Sequence, residues 1–359
     1  MRQTKNKAKK KSFFSIKRLV WSALLIVSLL MGGCSFAAQS NRYEKVYLDV
    51  FDTVTTVILY DTSEKSANAR FEEIHDILLS YHKLYDIYHT YDGVNNLCTV
   101  NQNAGIAPVA VDDQILDLIE YAIGMDALTD GRMNIAMGGV LKIWQTYRDA
   151  GLEDPDNAAL PPMAELTAAN EHANIGNIIA DRVLGTLYIS DVKTQLDVGA
   201  VAKGYAAQRA IETMKADGVT GMLLSVGGNV CSIGTRADGS GWKVGIQDPY
   251  SSGNLAVVQV AGQNVVTSGT YERYYTVDGK RYHHIIDPET LMPSTRYDSV
   301  TVISSDSAQA DALTTGLFCM PIEEGLALIE SLPDTEALWV LSDGSQQMSS
   351  GFSAFLSAD

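Results

Sequence analysis

The sequence predicts an α+β fold of mixed, largely antiparallel sheets with packed helices. Three observations predict it. Helical and strand-like stretches are interleaved without the strict strand–helix–strand order of a doubly wound sheet. Between residues 242 and 286, strand-like runs follow one another across short turns. Beyond residue 46 roughly 315 residues remain, enough for one large domain or two intimately packed ones.

Taken in order, residues 47–59 are β-rich and partly alternating, which predicts a strand. Residues 66–88 carry apolar side chains at helical spacing (Phe71, Ile74, Ile77, Leu78, Tyr81, Leu84, Tyr85) and predict an amphipathic helix. Residues 112–129 predict a second helix, whose acidic start suits the helix dipole. A helix over 140–147, a loop over 151–162 and a short helix over 163–170 follow. Strands are expected at 183–189 and 194–198, then a helix over 203–216 closed by Gly218. A strand over 221–226 runs into Gly227-Gly228, and another covers 300–304. Residues 306–319 predict a helix with Asp306 and Gln309 in capping-box positions. A strand near 337–341 ends the pattern, and no internal repeat or low-complexity segment interrupts it.

The first 33 residues hold eight basic and no acidic side chains, and a thirteen-residue apolar run from Leu19 to Met31. Gly32-Gly33-Cys34 follows. A charged start, a short apolar run and small residues before a cleavage point describe a secretory signal, too short to span a bilayer comfortably. The cysteine after the small residues resembles a bacterial lipobox, which makes Cys34 the lipidated first residue of the mature protein. An uncleaved N-terminal anchor is the alternative. Either way the domain is expected outside the cytoplasm, attached to the cell membrane. Residues 34–46 then read as lipidated terminus and tether, and residues 47–359 as the functional domain.

Without those eight basic residues, 19 of the 27 basic side chains face 43 acidic ones, a balance of −24. Such a chain offers no broad cationic surface, which argues against nucleic acid and against electrostatic membrane binding. An anionic ligand must therefore be met locally, by a metal, a helix N-terminus or a few cations. Cys98, Cys231 and Cys319 are widely spaced, with neither zinc spacing nor a disulfide pattern, and read as buried small hydrophobes.

Five constellations could carry chemistry. In Asp197-Val198-Gly199-Ala200-Val201-Ala202-Lys203-Gly204-Tyr205 a carboxylate, a glycine turn and a lysine-bearing helix start follow one another. The free N–H groups there suit a phosphate, although a plain strand-to-helix corner would look the same. Asp311 and Thr315 are four apart and share a helix face. Their hard oxygens suit Mg²⁺, unless Asp311 is solvated and Thr315 bonds back to its own helix. In the run Val265 to Arg273, Thr267-Ser268-Gly269 offers donors at a turn; in His283-His284-Ile285-Ile286-Asp287-Pro288, His284 is a candidate base or a satisfied core residue. Gly227-Gly228-Asn229 permits close backbone approach, as a hairpin also would. Tyr91 could stack on an aromatic ligand and Asn134, in Asn134-Ile135-Ala136, could bond to one.

In this order the pieces resemble the FAD:protein FMN transferase (ApbE-type) family over roughly residues 47–320. The resemblance rests mainly on residues 197–205, Thr267 to Glu272, His284 to Pro288, and Ala310-Asp311-Ala312-Leu313 with Thr315. It implies an ApbE-like α+β fold, FAD as substrate, Mg²⁺ dependence, and transfer of FMN to a threonine or serine hydroxyl of another protein. By resemblance Tyr91, Asn134, Ile135, Ala136, Asp197, Lys203 and Ile285 fall at flavin-binding positions. The Ala200 carbonyl, Asp311 and Thr315 fall at magnesium ligands, and His284 at a histidine linked to activity. Three segments depart from the family pattern: Phe51-Asp52 stands for Met-Gly, Asn95-Asn96 for Ser-Glu, and Leu291-Met292-Pro293 lacks the usual glycine. The base is left as His284 or a nearby carboxylate. The chain holds no acceptor segment of the type Asp-x-Ser/Thr-Gly-Ala/Ser-Ser/Thr, so the expected acceptor is another extracytoplasmic protein. An FAD diphosphatase and a non-enzymatic flavin carrier are the alternatives.

Overall fold

The computed structural model describes residues 41–357; the signal segment, Cys34 and the first part of the expected tether lie outside the described residues. Residues 42–46, expected as part of the tether, are strand instead. Arg42–Val50 is a strand, paired from Arg42↔Tyr60 to Val50↔Thr53 with the strand Thr53–Tyr60. It lies at a sheet edge with most side chains exposed, which is why its polar residues read as linker. The single strand expected over 47–59 is therefore broken by a turn: it takes in the end of one hairpin strand and most of the next. Phe51 and Asp52 form its turn at φ of 54° and 50°, a left-handed pair of the kind that tight hairpins need.

Eight strands make the main sheet, in the spatial order Arg42–Val50, Thr53–Tyr60, Gly221–Val226, Asn229–Gly234, Asn264–Gly269, Tyr297–Ser304, Thr335–Leu341, Gln346–Met348. Every pairing in it is antiparallel. Seven of the eight residues of Tyr297–Ser304 are buried because both faces of the sheet are covered there. On one face the helices Glu64–Tyr85, Ala202–Ala216 and Ser307–Cys319 bury Leu78, Ala206, Leu313 and Phe318 against Leu224, Val300 and Val302. On the other, the hairpin Trp242–Gln247/Asn254–Val260 and Phe352 cover Ile58, Val265, Ile303 and Leu338. A third cluster joins the helix Gly138–Glu153 to a two-stranded ribbon, Tyr274–Val277/Lys280–His283, through Trp144, Tyr275 and Val277. Cys98, Cys231 and Cys319 are free and buried, as expected.

Other expectations need correction. Residues 194–198 form no strand; they run extended, with a single bridge from Gln195 to Met137. The strand over 183–189 is only Thr186–Ile189, because residues 182–185 turn back to pair it with Ile178–Asp181. The helix at 140–147 extends over Gly138–Glu153 and takes in the start of the expected loop. The helix Ile322–Ser331 follows Pro321 and lacked a counterpart in the sequence reading. The capping box forms by half. Asp306 accepts from the Ala308 and Gln309 amides, whereas Gln309 accepts from the Ser304 and Thr335 hydroxyls instead of reaching back.

Candidate active site

The site grows from the contact between the helices Ala202–Ala216 and Ser307–Cys319. Gly204 lies where they touch. A Cβ there would run into Asp311 Cβ and the Ser307 carbonyl, and would sit 3.1 Å from Asp311 Cγ. Only glycine allows this approach. The approach brings the Gly204 N–H, an otherwise orphaned first-turn donor, to Asp311 Oδ2 at 2.8 Å. Asp311 is 5% exposed. Burial raises its pKa, against the opposing pull of the Lys203 charge, the Gly204 N–H and Asn229. Asn229 Nδ2 itself makes no hydrogen bond of proper geometry.

Two further oxygens are uncommitted. Thr314 bonds back to the Asp311 carbonyl at 2.7 Å and receives Ser268 Oγ at 2.9 Å. The hydroxyl of Thr315, the one residue between Asp311 and Cys319 that is not fully buried, has no hydrogen-bond partner among the described residues. The Ala200 carbonyl, in the turn that leads into the lysine helix, accepts none either among those residues. A carboxylate oxygen, a hydroxyl and a carbonyl without protein partners fit a hard cation such as Mg²⁺. Among the described residues no cluster of three or more His, Cys, Asp or Glu gathers anywhere, so such a cation would depend on substrate oxygens to fill its shell.

Asp197 holds the corner before the lysine helix. Its Oδ1 accepts the Gly199 N–H at 2.8 Å, and its own N–H donates to the Ile135 carbonyl at 2.9 Å. Burial raises its pKa, while the Gly199 N–H, Arg273 and Lys203 lower it. The Ile135 bond brings the segment Asn134–Ala136 to Asp197, as the resemblance implies. The Asn134 side chain is engaged within the chain itself. Its amide donates to the Ala173 carbonyl at 3.0 Å and its oxygen accepts the Ala136 N–H at 2.7 Å. It shapes the loop and is committed before any ligand arrives. Ile135 and Ala136 are 1% and 2% exposed, so a ligand could meet them only through the backbone or by packing.

His284 and Ile285 leave the ribbon at its base. His283, not His284, is the satisfied core histidine: its Nε2 donates to the Ser294 carbonyl at 2.7 Å and its Nδ1 accepts the Ile285 N–H at 3.2 Å. His284 Nδ1 is sealed from solvent without a partner. Burial first, then the charges of Arg273, His283, Lys203 and Arg148, push its pKa down to about 3. The imidazole is thus neutral at physiological pH and free to accept or donate one proton. Ile285 is 4% exposed and packs in the main core.

Tyr91 sits at another edge. Its hydroxyl donates to Asp86 Oδ2 at 2.8 Å, and its ring meets His82 edge-on at 6.4 Å. His82 Nδ1 accepts the Phe51 N–H at 3.1 Å, so the Phe51-Asp52 turn lies beside Tyr91. The Gly227 N–H bonds to the Val54 carbonyl at 3.1 Å, which ties the Gly227-Gly228 turn to the same hairpin. The departure at Phe51-Asp52 has a physical content: a left-handed turn is kept there without glycine.

Sequence reasoning missed Arg148, and it named Arg273 and Asn229 only as members of their segments, without a role of their own. Arg148 and Arg273 join Lys203 around His284, three cations within a chain of strongly acidic balance. Arg273 follows Thr267–Glu272 directly, and its scarcity value in such a chain was the available signal.

The sequence profile of the ApbE family matches residues 51–339. An FAD:protein FMN transferase of Treponema pallidum (strain Nichols) is 32% identical over 346 residues, covering 92% of this chain and 94% of that protein. Another of the same name, from Klebsiella pneumoniae (strain 342), is 35% identical over 244 residues, 67% of this chain and 73% of the relative. The crystal structure of an ApbE protein from Thermotoga maritima superposes with a TM-score of 0.76 at 28% identity, over 88% of this chain and 99% of the other. A flavin transferase ApbE mutant from Vibrio cholerae gives 0.74 at 25% identity, over 89% and 100%. The match spans both the Asp197–Tyr205 corner and the Asp311–Thr315 helix, and the chain is an enzyme that belongs to the ApbE family.

Proposed function

We propose that this enzyme transfers FMN from FAD to a threonine or serine hydroxyl of another protein and releases AMP, with Mg²⁺ bound at the Ala200 carbonyl, Asp311 and Thr315. The observation that carries the reading is the Gly204–Asp311 junction. It fixes one carboxylate between two helices, beside Lys203 and an unpartnered Thr315 hydroxyl.

Lys203 and the start of its helix supply positive potential where the FAD diphosphate must lie. Asp311, held by the Gly204 N–H, is kept in one orientation by a bond that also favours its charged form. Held by the Ala200 carbonyl, Asp311 and Thr315, Mg²⁺ would supply positive charge against that which grows during transfer. The acceptor hydroxyl oxygen forms a bond to the FMN-side phosphorus as the bond from that phosphorus to the bridging oxygen breaks, and that oxygen leaves with AMP. Neutral His284 is suited to take the hydroxyl proton, and Asp197, a buried carboxylate, is the alternative. Positioning matters more than base strength in such a transition state.

The sequence supports a place outside the cytoplasm, anchored to the cell membrane through lipid on Cys34. Its support is the basic start, the thirteen-residue apolar run and Gly32-Gly33-Cys34. Mixing the full chain in detergent with FAD, Mg²⁺ and an extracytoplasmic acceptor bearing an Asp-x-Ser-Gly-Ala-Thr segment tests the activity. Fluorescent flavin that stays on the acceptor in a denaturing gel is expected. Free FMN and AMP with an unlabelled acceptor would make the chain an FAD diphosphatase; intact bound FAD would make it a flavin carrier.

A further inference from the structure

The ribbon Tyr274–Val277/Lys280–His283 has no role in the chemistry above, yet both its legs end at the site. Tyr274 pairs with His283, Arg273 precedes the first strand, and His284 follows the second. The turn at Asp278-Gly279, with φ of 49° and 77°, is at the opposite end. The ribbon is a two-stranded sheet of its own, so neither strand has a third strand beside it. One face is fixed: the rings of Trp144 and Tyr282 stack at 6.3 Å, and the Tyr275 hydroxyl donates to the Ala159 carbonyl at 3.1 Å. Thr276 and Arg281, a directly opposed pair, are exposed.

Its charge is out of keeping with the rest of the chain. Arg273, Lys280 and Arg281 are exposed and lie within nine residues, and Asp278 at the turn is the one carboxylate among residues 273–284. Among the described residues, none of the three cations is in an ion pair with a carboxylate. Lys280 lies 5.3 Å from the centre of the Tyr282 ring and Arg281 4.8 Å from that of Tyr274, so both are held in place without being neutralised. Elsewhere an acidic partner meets a surface of its own sign; here it meets localised positive charge. An unpaired strand edge takes an extended segment by backbone hydrogen bonding.

We propose that this ribbon is the docking edge for the acceptor protein, which lies along it as an extended, acidic segment and so presents its hydroxyl beside His284. The inference rests on the transferase reading. Its test compares wild type with K280E/R281E and the milder K280Q/R281Q, none of which touches a residue of the chemical site. Flavin transfer to the acceptor is measured at low and high ionic strength, with FAD affinity read separately by flavin fluorescence.

At low ionic strength the acceptor KM should rise about tenfold in K280E/R281E and less in K280Q/R281Q, with kcat and FAD affinity kept. Salt should raise the wild-type KM and leave that of K280E/R281E nearly unchanged. Hydrogen exchange on wild type checks the geometry without any substitution, because the amides of residues 274–283 should become protected when acceptor is added. An unchanged KM in a variant that still binds FAD, or no protection of the ribbon, would overturn the docking edge. Loss of binding to anionic vesicles with an unchanged KM would assign the cations to the membrane and overturn it too. Failure of wild type to label any acceptor would instead remove the transferase reading itself.

Discussion

Gly204→Ala tests whether the site depends on the closeness of two helices. Alanine is the better helix former by about 1 kcal/mol, so a loosely packed site would gain stability from the change. The structure predicts the opposite. The new methyl group would overlap Asp311 Cβ and the Ser307 carbonyl, and would crowd Asp311 Cγ at 3.1 Å. Two of these neighbours belong to a residue with 5% exposure, and the third is backbone, so none gives way easily. Overpacking of this kind costs about 1–3 kcal/mol. Separating the helices also weakens the 2.8 Å bond from the Gly204 N–H to Asp311 Oδ2. A hydrogen bond to a charged group contributes about 1.5–3 kcal/mol. With the propensity gain subtracted, the net loss is about 1.5–5 kcal/mol, with a larger proportional loss of flavin transfer because Asp311 is displaced. Gly124→Ala is the control. Gly124 is in the helix Asp113–Leu128 and has nothing within 4 Å of its would-be Cβ, so that change should add up to about 1 kcal/mol. Urea unfolding of both variants gives the comparison. If Gly204→Ala is as stable as wild type and transfers flavin normally, the account of the helix junction is wrong.

Other changes separate chemistry from folding. Thr315→Val should leave unfolding free energy within about 0.5 kcal/mol, since its hydroxyl bonds to no described residue, yet raise the Mg²⁺ concentration needed for half-maximal transfer. Asp311 has a raised folded pKa, so its contribution to stability is full below its unfolded value near ~4 and is lost as pH rises through the folded value. Asp311→Asn should therefore raise the melting temperature at neutral pH without metal, a gap that closes toward pH ~4, while activity disappears. Added Mg²⁺ should raise the melting temperature of wild type but not of that variant. His284 has a depressed folded pKa, so its contribution is present above pH 6.5 and lost as pH falls toward about 3. His284→Gln should flatten that acid-side loss of stability and reduce transfer, and wild-type transfer should show no inflection from His284 between pH 5 and 8.

The parts of the site legible in the sequence are those where chemistry and backbone geometry constrain adjacent residues. The Asp197–Tyr205 corner needs a carboxylate, a turn and a helix start in a row, and Asp311 with Thr315 needs only helical spacing. What stayed hidden depends on tertiary neighbours. Nothing local to Asn134 announces that its amide is committed to Ala173 and Ala136. Nor does the local pattern distinguish His283 from His284; the Ser294 carbonyl, eleven residues on, satisfies one and leaves the other. The same holds for the fold. Polar edge residues 42–46, the first part of this strand, resembled a tether because an edge strand need not bury a face. Residues 194–198 have strand-like composition, but a single bridge to Met137 is all the pairing they find. The left-handed Phe51-Asp52 turn was hidden because neither residue is glycine.

The most direct measurement counts flavin and AMP together. Wild type and Asp311→Ala, as full chains in detergent, would each be incubated with FAD and acceptor protein, with Mg²⁺ or with EDTA, and acceptor mass and released AMP quantified. The account predicts one AMP for each FMN attached to the acceptor in wild type with Mg²⁺, and neither product with EDTA or in Asp311→Ala. Equal labelling by Asp311→Ala, or AMP release without labelled acceptor, would contradict it.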